Sequence, residues 1–91
     1  MTKPRLTLLE HATLGERLAA MRDELLHLHV LLDNAYPKTG HEGAPARSLE
    51  KAQRAIDDAR THLDHAVFRE YPRHASTALY YPHREDRAAV D

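Results

Sequence analysis

A chain of 91 residues with 42% apolar content, no Trp and one Phe can form a single domain, residues 1–91, with a thin core, because a protein this small buries only about 60–65% of the surface its unfolded chain exposes. The absence of Cys excludes disulfides, thiolate zinc sites and cysteine nucleophiles. Thirteen Lys and Arg against 14 Asp and Glu leave no net field to draw nucleic acid or an anionic membrane, although eight His would make the chain positive on mild acidification.

The N-terminal stretch MTKPRLTLLEH carries two basic residues, but its apolar run ends at Glu10, short of a signal-peptide core or a membrane span. The expected location is cytoplasmic. Thr7 with Glu10 fits a capping box, and Thr13 with Glu16 fits equally well. From there Leu14, Leu18, Met21, Leu25, Leu28, Leu32 and Ala35 alternate spacings of four and three, the heptad row of an amphipathic helix. Gly15 lies inside this helix, where glycine costs about 1 kcal/mol. Pro37 disfavours helical geometry at Tyr36, so the first helix is predicted over about 7–35.

The stretch YPKTGHEGAPAR has two prolines, two glycines and no apolar period, so residues 36–47 read as a loop. Ser48 offers an N-cap oxygen. Leu49, Ala52, Ile56, Ala59, Leu63 and Ala66 resume the three-four spacing until Pro72, giving a second helix over about 48–70. So short a connection makes the two helices antiparallel neighbours. Residues 71–91 form a tail. Running extended, its Leu79, Tyr80 and Tyr81 reach the second half of the first helix, whereas a short helical turn brings them back towards Leu18 and Leu14.

The fold class expected is therefore all-α: an antiparallel two-helix hairpin with a C-terminal docked segment, dimerising into a four-helix bundle. Leucines on the first helix meet alanines on the second, which permits close approach but leaves leucine surface uncovered. Leu26, Val30 and Leu31, with Leu79, Tyr80 and Tyr81 of the tail, are the candidate partner-binding residues. A monomeric three-helix core is the competing arrangement.

The stretch THLDHAVFREYP raises the question of metal. Asp58, His62 and His65 share one face of a helix, and an oxygen with two imidazole nitrogens suits zinc, nickel or copper. The other pair, His27 and His29, lies at a different level of the hairpin, so the two clusters do not combine within one chain. Asp58, His62 and His65 are thus the candidate ligands of an alternative metal-binding reading, set against an ordinary solvated helix face.

A nucleophilic site has little to build on. Ser48 and Ser76 are the serine candidates, one already explained as a cap and the other in the tail. The three glycines form no phosphate loop, and the basic residues of the second helix alternate with carboxylates, unlike a groove-binding stripe. The function expected is that of a non-enzymatic, cofactor-free helical protein-binding adaptor, regulator or accessory subunit, homodimeric and engaging another protein, with no membrane partner. A histidine-based metal-binding protein and a small dimeric nucleic-acid-binding protein are the alternatives.

Overall fold

The computed structural model describes residues 4–82. Two long helices, α1 (Leu8–Ala35) and α2 (Ala44–Glu70), pack against each other as a hairpin. Three-residue 3-10 turns follow α1 (His41–Gly43) and α2 (Thr77–Leu79). There is no strand among the described residues.

The start of α1 follows from its sequence. The Thr7 amide donates to Glu10 Oε1 (2.8 Å) and the Glu10 amide to Thr7 Oγ1 (3.1 Å), so two of the amides that lack intrahelical partners are satisfied reciprocally. The two cap hydrogen bonds also hold the exposed Glu10 carboxyl below its ordinary range. At the other end the Tyr36 amide still donates to Leu32 while Tyr36 itself turns extended, the conformation that Pro37 imposes on its predecessor.

The turn is tighter than its composition predicts. Instead of beginning at Ser48, α2 begins at Ala44, with Pro45 in its first turn, where a missing amide and a fixed φ are no handicap. Ser48 therefore lies inside the helix rather than capping it. Gly40 takes the left-handed region (φ 69°), and Arg47 folds back from α2 to donate to the carbonyls of Lys38 (3.0 Å) and Gly40 (2.9 Å). A side chain at Gly43 would strike the Lys38 carbonyl, so loop and helix meet closely there.

The helix faces that meet differ from those expected. The heptad row of α1 was predicted to face α2, but Met21 is 47% exposed and Leu28 38% exposed. The residues of α1 buried against α2 and the tail are His11, Gly15 and Ala19, and from α2 come Ala46, Gln53, Arg60 and Val67, spaced seven apart. At 3.6 residues per turn the leucine row of α1 is turned by about 80° from this contact row. The contact holds because its polar members are paired. His29 sits between Gln53, whose Nε2–H donates to Nδ1 (3.0 Å), and Asp33, with Nε2 to Oδ2 at 3.2 Å. Arg22 reaches Asp57 at 3.5 Å. Such pairing removes the penalty of burying polar groups.

Candidate functional site

The most elaborate side-chain cluster on the molecule holds the tail to the hairpin. The chain leaves α2 through a turn in which the amides of His74 and Ala75 donate to the Tyr71 carbonyl, and Ser76 caps the 3-10 turn that follows. The contact with α1 thereby falls at Gly15, the Leu14–Leu18 level expected of a tail with a short helical turn, and extends one turn further to His11. Tyr80 is fully buried (0% exposed) and His11 nearly so (2%).

His11 links three elements. A carboxylate only accepts, so His11 Nε2–H donates to Glu70 Oε1 (3.1 Å) and, in the neutral ring, Nδ1 accepts from the Tyr80 hydroxyl (2.5 Å). Tyr71 and Tyr80 present their rings edge-on to the imidazole, with centroids 6.1 and 5.8 Å away. The Tyr71 hydroxyl donates to the Leu6 carbonyl (2.6 Å). Burial first, then the negative charges of Glu70 and Asp64, raises the Tyr80 hydroxyl above its ordinary pKa of 10.0. Asp64 Oδ1 is itself buried without a hydrogen-bond partner among the described residues.

Arg60 anchors the far side. Its Nε–H donates to the Tyr80 carbonyl (2.8 Å), while its guanidinium lies 4.4 Å over the Tyr81 ring, a favourable cation–π geometry. The Tyr81 and Thr61 hydroxyls are 3.0 Å apart. A Cβ at Gly15 would collide with the Leu79 carbonyl, so glycine is required for the tail backbone to lie on the helix. Chemically this Tyr–His–Glu chain is a closed, satisfied network: its hydroxyl has no access to substrate.

Of the six residues expected to bind a partner, the tail trio thus splits. Tyr80 is buried in the hairpin, Leu79 is half-buried, and Tyr81 is half-exposed on Arg60. Leu26 and Val30 remain exposed on α1, and Leu31 is 61% exposed. Asp58, His62 and His65 are exposed on α2. Among the described residues no three His, Cys, Asp or Glu side chains are grouped to hold a metal. Near the turn, His29, Asp33, Lys38, Arg47 and Glu50 line a shallow, open concavity, in which Arg47 is already bound to loop carbonyls.

The larger feature lies on the other side of the hairpin. The tail lies against Gly15 and Arg60 of the contact row and reaches Thr61 on one side of it. Leu14, Leu18, Met21, Leu25, Leu28 and Leu32 of α1 flank it on the other, together with Leu49, Ala52, Ile56, Ala59, Leu63 and Ala66 of α2. The helix period and the opposite helix directions bring these two apolar rows to one face. No charged residue interrupts either row, and every member is half-buried or exposed. The sequence showed both rows but not that they would share an outer face.

No protein-family model, no curated protein and no solved structure matches the chain. No helix among the described residues is long and apolar enough to cross a membrane.

Proposed function

We propose that the protein is a non-enzymatic, helical accessory subunit or adaptor that works by burying the apolar face of its hairpin against a second helical layer, giving a four-helix bundle. The observation that carries this reading is the uncharged double row from Leu14 to Leu32 and Leu49 to Ala66, in which Met21, Leu28 and Ala59 are exposed and the other members half-buried. Contiguous apolar surface of this extent on a small soluble chain marks an interaction site. Pairing two one-sided hairpins is the arrangement by which bundles complete a core. Supporting it from the other direction, the buried apolar residues among those described are Ala19, Ala46, Val67 and Tyr80, a small core for a domain of this length.

The test is affinity capture with the full chain as bait, comparing wild type with Leu28→Glu on the apolar face and Arg54→Glu on the outer face of α2. The expected result is a set of bound proteins, copies of the chain included, that Leu28→Glu loses and Arg54→Glu keeps. Identical sets from all three baits would overturn the reading.

A further inference from the structure

Resting on that reading, we infer that the occupant of the apolar face is a second copy of this chain, related by a twofold axis parallel to the helices, so that α1 of each copy lies on α2 of the other. The level relation within one hairpin is set by the pairs His11 with Glu70 and His29 with Gln53. Rotation about an axis parallel to the helices moves nothing along it, so the same relation holds between copies. It brings Leu14 to Ala66, Met21 to Ala59 and Leu28 to Ala52 of the other chain, with Leu18 on Leu63 and Leu25 on Ile56 between them. Large side chains meet small ones at three successive levels, the interdigitation that holds helix axes at an even spacing of about 8–10 Å.

The alternative twofold, lying in the interface and perpendicular to the helices, places leucine row on leucine row and alanine row on alanine row. Helix spacing follows side-chain size, so that bundle would be wide on one side and narrow on the other.

The area is sufficient. The 28 residues of α1 extend about 42 Å, and two packed helices are about 20 Å across. The face therefore offers roughly 800 Å², the contribution of one partner to a standard stable dimer. Leu79, Tyr80 and Tyr81 of the tail lie against Gly15, Arg60 and Thr61, away from this face.

The experiment uses two full-length chains, one carrying Met21→Cys and the other Ala59→Cys, mixed and oxidised, alongside light scattering of the wild type. The expected result is a dimer mass and a disulfide joining unlike chains. Leu28→Glu should raise the dissociation constant at least about 30-fold, the scale of an interface hot spot, with helix content unchanged. Preferential crosslinking of Leu25→Cys to Leu14→Cys chains would overturn the arrangement in favour of α1 on α1. A monomer mass at micromolar concentration would overturn self-pairing altogether. A monomer that binds an apolar dye, with binding lost in Leu28→Glu, would still leave the face as a docking site for a different protein, whereas a monomer without dye binding would sink both readings.

Discussion

The two faces of the hairpin offer opposite means of packing. On one side the tail is held by a few directional contacts: the His11 imidazole, the Arg60 guanidinium and a glycine that admits backbone. On the other side a broad row of leucines and alanines carries no polar anchor at all. Directional contacts give a single register at modest energy, since a net hydrogen bond is worth about 1 kcal/mol. Apolar area gives more energy but little orientation. A tail tethered to its own hairpin starts at high effective concentration and needs only register; a separate chain must overcome the entropy of association and needs area.

The sharpest way to break the comparison is to place one charge on each side of the division. Val67 is fully buried between the helices, so Val67→Asp should abolish folding, costing more than about 4 kcal/mol by burying a carboxylate without a partner. By the heptad row, Leu28→Asp would be equally disruptive. At 38% exposure it should instead leave a helical hairpin, with a cost within the chain of about 1 kcal/mol or less, and act on assembly. Circular dichroism with light scattering on both variants checks the contrast, and an unfolded Leu28→Asp at all concentrations would show that the face is needed for the hairpin itself.

A second comparison isolates the tail. In the full chain Gly15→Ala drives a methyl group into the Leu79 carbonyl and should cost about 1–3 kcal/mol as the tail lifts or shifts. In a chain ending at Tyr71 that obstacle is gone, and the same substitution should stabilise the helix by up to about 1 kcal/mol. Thermal melting of the four proteins reads the sign reversal directly.

These variants also show how much of the architecture the sequence makes legible. The helix ends are local chemistry, and Thr7, Glu10, Pro37 and Pro72 declare them without reference to the rest of the fold. Which face of α1 meets α2 is not local. The leucine row is the stronger periodic pattern, yet the row through Gly15, Arg22 and His29 makes the contact, because its polar groups find partners on α2 and its glycine admits the tail. Gly15 was the available signal: a glycine at an unfavourable helix position marks close backbone approach. The partners of His11 are 59 and 69 residues away along the chain, and no spacing rule connects them.

The Tyr80 latch gives a smaller effect with a definite direction. Its hydroxyl is held protonated beyond the ordinary value of 10.0 by burial, Glu70 and Asp64. Below pH 10 both folded and unfolded chains keep that proton, and the latch contributes fully. As pH rises past 10 the unfolded chain ionises first, so stability falls towards the raised folded value. The wild-type melting temperature should therefore drop between pH 9 and 11, and the drop should be shallower in Tyr80→Phe, which also starts lower because His11 Nδ1 loses its donor. Parallel pH profiles would place the titration elsewhere.

The smallest expected effect separates the two helix starts, which share the same residue chemistry but not the same structure. Thr7 caps α1 in a reciprocal pair with Glu10, so Thr7→Ala should cost about 1 kcal/mol, with part of the Glu10 contribution lost too. That contribution is present above the ordinary carboxylate value of 4.5, below which Glu10 is held, and it fades as pH falls through the lowered one. Ser48 is exposed inside α2, which Pro45 and the Arg47 contacts to the loop have already started. Alanine there removes a hydroxyl that no cap requires and improves helix propensity, so Ser48→Ala should be neutral or stabilising by a few tenths of a kcal/mol. Denaturant melts of the two variants decide it: a loss of about 1 kcal/mol at Ser48 would mean that α2 starts at the serine in solution and that the first turn from Ala44 is frayed.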